Sequence, residues 1–307
     1  MHHVLASAGP QALHIEVLWW LMLAVCTAVF IAVFTAVLWA LIRAPRAGPA
    51  TPPDLARARD RGAQIAVVTA LAVSAVLLVA LSLASFFTDR ALAGLGPPQL
   101  SVEVTGHQWW WEIRYQDGFT TANELHIPVG KPVRVKLAAP DVIHSFWVPT
   151  LSGKKDLIPG REATLTLRAD KPGIYRGQCA EFCGLQHAKM AFLVIAEPPE
   201  RYEAWAAAEK RPAREPADRR GRDVFMERGC AGCHAIQGSA AAARKAPDLT
   251  HLASRQTLGA ASVPNTVGHL AGWILDPQTI KPGASMPATA MKPEELHALL
   301  AYLGALK

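Results

Sequence analysis

Charge is what this sequence is short of. Only 18% of its 307 residues are Asp, Glu, Lys or Arg, against about 25% in an average soluble domain, and two long stretches, residues 17–42 and 62–88, carry none at all. The modest basic excess, 31 Lys and Arg against 25 Asp and Glu, is scattered rather than gathered into a tract, which argues against a nucleic-acid partner. Cysteine is also scarce: five in the whole chain exclude a small disulfide-stapled scaffold. What is plentiful is apolar sequence, at 51%, which excludes a disordered or collagen-like chain.

The two uncharged stretches are each long enough to cross a hydrocarbon core of roughly 30 Å at about 1.5 Å per residue. A cleaved signal peptide places positive charge before a shorter apolar core. Here Glu16 precedes the first stretch and Arg43 and Arg46 follow it, so a retained helix is the better reading. Cys26, inside that stretch, reads as a small buried apolar residue. Between the stretches lie Arg43, Arg46, Arg57, Arg59 and Arg61 against Asp54 and Asp60, and such basic loops stay cytoplasmic. Both termini, and everything after Asp89, are then expected on the periplasmic or extracytoplasmic side of a bacterial cell membrane.

From about residue 96 to 197 the pattern changes to short alternating or β-branched runs, such as 101–105, 133–137, 163–167 and 192–195, separated by Pro and Gly turns. This predicts an all-β sandwich or small barrel. Its chemistry is concentrated in the stretch from Cys179 through Glu181, Cys183 and His187 to Met190. Two thiolates, an imidazole and a thioether make a soft donor set suited to copper rather than to magnesium or calcium. A mononuclear blue-copper site has one cysteine, so this loop has one too many. Two bridging thiolates can instead hold two copper ions, which requires a second histidine from His107, His126 or His144. His144 is favoured because it ends a predicted strand where a turn can present it to the loop. A Cys179–Cys183 disulfide is the competing reading, weakened by His187 and Met190 at fixed offsets.

Residues 198–217 are rich in Pro and charge and read as a linker, with a short helix possible at 202–210. Beyond it, Cys230-Ala231-Gly232-Cys233-His234 is the pattern of covalent c-type haem attachment, in which the histidine becomes an axial iron ligand. Zinc would need a second pair of ligands, and no cysteine follows. The second axial ligand is sought among Met286, Met291, His251, His269 and His297. Met286 is favoured because Pro287 breaks any helix around it. Helices are expected at 218–228 and 293–303, the latter with Pro293 at its first position, acids in its first turn and a core-facing stripe of Leu296, Leu299, Leu300 and Leu303.

Four segments together resemble subunit II of the haem-copper cytochrome c oxidases: Gly106-His107-Gln108-Trp109-Trp110-Trp111, His144-Ser145, the run from Lys154 to Arg161, and the run from Gln178 to Met190. The resemblance covers about residues 15–197. Residues 218–307 resemble a class I cytochrome c, and the fusion of the two is the pattern of caa3-type oxidases. The fold class implied is a multidomain membrane protein: a transmembrane hairpin over 1–95 with spans near 17–42 and 62–88, a cupredoxin domain over 96–197, and a small all-α cytochrome c domain over 218–307.

The resemblance further implies a binuclear Cu(A) centre on His144, Cys179, Cys183, His187, Met190 and the Glu181 carbonyl. It implies a haem c on Cys230, Cys233, His234 and Met286, with Pro247 supporting the proximal histidine. Trp109 takes the position of the aromatic residue through which electrons reach copper, and the Glu181 carboxylate that of a ligand to Mg2+ shared with subunit I. The implied partners are subunit I, subunit III and a cytochrome c or other respiratory donor, with electrons passing from haem to copper to an oxygen-reducing site coupled to proton translocation. Two alternatives carry less weight: the electron-accepting subunit of a Cu(A)-containing nitric oxide reductase, and a copper-delivery protein, which has no use for a covalent haem. One departure stands out, since Gln64 occupies the region where many subunits II carry a glutamate that feeds a proton path.

Overall fold

The strand pattern is legible in burial. Along β1 (Leu100–His107) Val102, Val104 and Gly106 point inward, and along β5 (Val133–Ala138) Val133, Val135 and Leu137 are buried between exposed Arg134 and Lys136. That is the two-residue period of a sheet with one face on a core. In the computed structural model, which describes residues 4–43, 61–214, 216 and 218–307, these strands belong to a sandwich of two five-stranded sheets. One is ordered β3 (Thr120–Ala122), β2 (Trp110–Tyr115), β1, β5, β8 (Ala163–Leu167). The other is ordered β4 (Glu124–Pro128), β10 (Ala191–Glu197), β9 (Gly173–Cys179), β6 (His144–Trp147), β7 (Lys155–Leu157). The β1–β5 and β4–β10 pairs are parallel, and the other pairings within these two sheets are antiparallel. Chain 8–12 clips onto this sandwich, Ala8 N–H donating to the Thr150 carbonyl at 2.7 Å and Ala12 N–H to that of Leu151 at 3.2 Å.

Unlike β1, β10 is buried on both faces over Ala191–Ala196. Its inner face joins the sandwich core with Phe192 and Val194, and its outer face, Ala191, Leu193 and Ile195, packs with Ala261 of the C-terminal region. The C-terminal region contains α4 (Arg220–Glu227), a two-stranded β11–β12 ribbon (Thr257–Leu258, Val263–Pro264), α5 (Val267–Leu275), α6 (Pro277–Ile280) and α7 (Pro293–Ala305). Its first and last helices cross at Gly221, where an added Cβ would stand 2.1 Å from the Ala298 carbonyl oxygen and 2.4 Å from Tyr302 Cβ. Phe225, Leu299, Tyr302 and Leu303 form the core around this crossing. Of the expected leucine stripe, Leu299 and Leu303 are fully inside and Leu296 and Leu300 lie at the margin.

The stretch expected as linker is partly structured. Residues Pro199–Glu209 form α3, and its Trp205 stacks on His126 with ring centroids 3.9 Å apart and meets Tyr115 and Phe119 edge-on. Farther on, Ala213 belongs to the core of the C-terminal region. Burying three aromatic contacts fixes this segment more firmly than its polar composition indicates.

The chain divides into two compact units, one comprising the N-terminus to Ala12 with Leu95–Lys307, the other Leu13–Gly94. The second contains most of α1 (Pro10–Arg43) and α2 (Arg61–Leu92). Their mean hydropathies, 2.7 and 2.6 over the most apolar windows, come with apolar side chains exposed all round, as for helices whose solvent is lipid or partner helices. Most of the basic segment between them, including Arg46, Arg57, Arg59, Asp54 and Asp60, lies outside the described residues.

Candidate metal and haem sites

The β1–β2 turn, the start of β6 and the loop after β9 meet at one end of the sandwich. There His144 and Cys179 are buried, with His144 Nδ1 3.9 Å from Cys179 Sγ. Cys179 Sγ lies 3.7 Å from Cys183 Sγ, and the latter lies 3.7 Å from both His187 Nδ1 and Met190 Sδ. The Glu181 carbonyl oxygen is 3.2 Å from Cys179 Sγ. Two ligands held about 2.3 Å from one ion at a tetrahedral angle stand roughly 3.7 Å apart, so these separations suit a shared metal cluster. The sulfurs are unbonded, and the disulfide reading of the pair is not the arrangement found.

The protonation of the pair follows from its contacts. A hydrogen bond from the Cys183 thiol lowers Cys179 to about 3, with burial opposing and the His144 contact assisting. The same pairing, joined by burial, drives the Cys183 thiol strongly up. Metal ligation uses both sulfurs as thiolates, so binding there displaces the thiol proton.

Asp141 completes the site and was not singled out by sequence. Its Oδ1 accepts from His144 Nε2 at 2.9 Å and from Val142 N–H at 2.7 Å, and its Oδ2 accepts from Gln108 N–H at 2.7 Å. Burial alone would raise the Asp141 carboxyl, but these donors outweigh it and hold it below the ordinary carboxylate range. The carboxylate thus fixes which histidine nitrogen faces the sulfurs, as carboxylate partners do behind metal-bound imidazoles. The only sequence signal was an acid three residues before a candidate ligand, a spacing too common to interpret alone.

The three consecutive tryptophans divide their labour. Trp111 is fully buried and packs edge-on against Phe146 and Phe192. Trp110 stacks on His107 at 4.6 Å. Trp109 donates through Nε1 to the Cys183 carbonyl at 3.0 Å, beside the Gln108 carboxamide, which donates to the same oxygen at 2.8 Å. Of the other candidate histidines, His107 pairs with Glu112 at 3.3 Å and His126 with Glu197 at 3.0 Å, so both are engaged elsewhere.

The haem-type motif is presented differently. Cys230–Gly232 forms a single tight turn, with Cys233 and His234 N–H both donating to the Cys230 carbonyl. His234 Nδ1 donates to the Pro247 carbonyl at 2.7 Å, which leaves the lone pair on Nε2, and burial lowers the ring's pKa and keeps it neutral. Cys230, Met286 and Met291 all flank the same core. The backbone around Met286 is anchored by Gln278, whose Nε2 donates to the Met286 carbonyl at 3.1 Å and to that of Ala284 at 2.9 Å. His251 is engaged with the Arg211 carbonyl, the His269 ring is paired with Thr266, the N-cap of α5, and His297 is exposed. A neutral imidazole with a free Nε2, two unbonded thiols and flanking thioethers form a donor set that fits a covalently held haem.

Known proteins share these features. Residues 118–197 match the family described as cytochrome C oxidase subunit II, periplasmic domain, and residues 219–307 match cytochrome c. The chain is 43% identical over 218 residues to cytochrome c oxidase subunit 2 of Alkalihalophilus pseudofirmus, covering 69% of this chain and 63% of that protein. It is 34% identical to the Bacillus sp. protein of the same name, over 67% of this chain and 62% of the other. A crystal structure of the periplasmic domain of subunit II of cytochrome oxidase of Bradyrhizobium japonicum is 32% identical, covering 38% of this chain and 96% of that one, at a TM-score of 0.37. The matched region spans somewhat under two thirds of the length of the two curated relatives. The two domains imply copper A and haem c as cofactors, and with the two apolar helices they describe a membrane-anchored protein. The chain thus belongs to the cytochrome c oxidase subunit II family, in the form that carries a cytochrome c domain at its C-terminal end.

Proposed function

We propose that the chain is the electron-transfer subunit of a caa3-type cytochrome c oxidase. When bound, haem c and the copper pair supply reversible one-electron redox chemistry. The protein's part is to hold and orient. Cys230 and Cys233 would fasten the haem covalently, and His234 and Met286 would ligate its iron. His144, Cys179, Cys183, His187, Met190 and the Glu181 carbonyl would hold the copper pair, and Asp141 keeps the His144 ring in register. Trp109, hydrogen-bonded to the backbone of a ligand cysteine, is suited to couple the copper site to its donor. The observation that carries this reading is the convergence of two cysteines, two histidines and a methionine, linked one to the next by contacts of 3.7–3.9 Å through the two sulfurs.

The same reading places α1 and α2 as two membrane passes with the copper and haem domains outside. Subunits I and III would be the membrane partners and a cytochrome c or other respiratory carrier the donor. Electrons would leave the copper site for the oxygen-reducing centre of subunit I, coupled to proton translocation, and the Glu181 carboxylate would reach a Mg2+ ion shared with that subunit. Metal and haem analysis of the purified complex, with its near-infrared spectrum, tests the core of this. Two copper ions and one haem c per chain with a mixed-valence band are expected. One copper ion per chain, or a Cys179–Cys183 disulfide in the active complex, overturns it.

A further inference from the structure

The outer face of β10 is apolar at Ala191, Leu193 and Ile195, and the residue opposite Leu193 on the neighbouring parallel strand is Glu124. In-register neighbours of a sheet point to the same side, so a carboxylate stands at the border of an apolar patch. It is only 2% exposed. Its partners come from the cytochrome c domain: Gln256 N–H donates to both oxygens at 2.9 and 3.1 Å, and Thr257 N–H and Thr257 Oγ1 each donate to Oε1 at 2.9 Å. Next in sequence, the Arg255 guanidinium faces Glu124, Asp248 and Glu209 and donates to the Asp248 carbonyl.

Around this cage the two domains are joined at defined points. Arg176 donates to the Ala261 carbonyl at 3.0 Å, Ala191 N–H to that of Ala260 at 3.2 Å, and Lys281 Nζ to that of Trp109 at 2.5 Å. Gln186, the neighbour of ligand His187, donates to the Pro282 carbonyl, and Leu185 packs against Gly283.

We propose that Glu124 is a positioning residue that locks the cytochrome c domain onto the copper domain in one orientation, with the segment just before Met286 laid on the copper-ligand loop. A buried carboxylate is tolerated only with donors around it, and here every donor named belongs to the other domain. Undocking would strip Glu124 of them and separate it from Arg255, so the docked arrangement is specified by geometry as well as by apolar contact. Apolar contact alone would permit sliding. The inference rests on the proposed haem-to-copper relay and adds the device that fixes its geometry.

The test uses the full chain in its complex, with Glu124→Ala, Glu124→Gln and, from the opposite side of the interface, Thr257→Val. Hydrogen exchange of the amides at 256 and 257 reads docking without reference to turnover. Glu124→Ala should reduce their protection by about tenfold or more, the scale of losing hydrogen bonds to a charged group. Glu124→Gln, which keeps one acceptor oxygen, should lie between it and the parent, and Thr257→Val should shift protection the same way by less. Haem-to-copper electron transfer after flash reduction should slow in the same order and become viscosity-dependent. Unchanged exchange in Glu124→Ala and Thr257→Val, with copper and haem bands intact, overturns the lock. Absence of those bands from the parent complex would instead overturn the relay, and exchange would still report on docking. Should Glu124→Ala fail to fold, the Glu124→Gln and Thr257→Val pair decides.

Discussion

The copper site and the haem site solve the problem of holding a redox centre in opposite ways. At the copper end, ligands from the start of β6, the end of β9 and the loop after it are gathered by a sandwich whose large core includes Cys179, Cys183 and Met190, and Asp141, Gln108 and Trp109 brace them through hydrogen bonds. At the haem end, three of four expected ligands lie within five consecutive residues, one cysteine is exposed, and the surrounding core is small. A β-fold can preorganise a site at a distance in sequence. A short helical domain instead relies on the covalent group to finish its interior.

That contrast can be broken most severely by removing haem attachment. Replacing Cys230 and Cys233 together with Ser should abolish cooperative unfolding of the region after residue 218 while the copper band survives. Calorimetry with near-infrared spectroscopy checks both halves, and loss of both signals would mean the sandwich leans on its neighbour. A smaller effect is expected from Gly221→Val. The added Cβ meets Ala298 backbone, and forced separation of α4 and α7 should cost roughly 3 kcal/mol, at the upper end for overpacking, read as a lower thermal midpoint of the haem domain alone.

At the copper end, Asp141→Asn should leave the sandwich folded but weaken copper retention about 10–100-fold, the usual penalty for losing a carboxylate behind a ligand histidine, measured by chelator competition. The gentlest probe lies between the two regions. Burial lowers Lys281 to about 7 from the ordinary 10.5, with Cys183 opposing and Lys189 assisting. The native chain then binds fewer protons there than the unfolded chain between those values, so stability should rise as pH climbs from 7 towards 10.5 and be insensitive to this group below 7. Denaturant midpoints that rise with pH in the parent and flatten in Lys281→Met would show it.

The same division governs what could be read in advance. The Cys-x-x-Cys-His motif is contiguous, and the cysteine, histidine and methionine spacing of the copper loop is nearly so, hence both were visible in one dimension. Strand alternation at Val102–Val104 and Val133–Leu137 likewise announced the sandwich. Asp141 and Glu124 were not visible, because an acidic residue gains meaning only from the groups that folding brings to it. The doubly buried β10 left a trace in its unbroken run Ala191-Phe192-Leu193-Val194-Ile195-Ala196, which periodicity alone cannot tell from an ordinary core strand. Within 198–217 the short helix was legible but its anchoring was not: Glu200, Arg201 and Glu203 of α3 face solvent, while Tyr202 and Trp205 pack on the sandwich and Glu209 is buried.

That anchoring sets a leash. With α3 pinned by Trp205 and Ala213 held in the core of the haem domain, residues 210–212 are the slack between the two anchors, about 10 Å at full stretch. A released haem domain would therefore search only a small volume around its anchor on the same sandwich, at an effective concentration on the order of millimolar. Failure of the latch would blur the relay's timing without letting the carrier drift to distant neighbours.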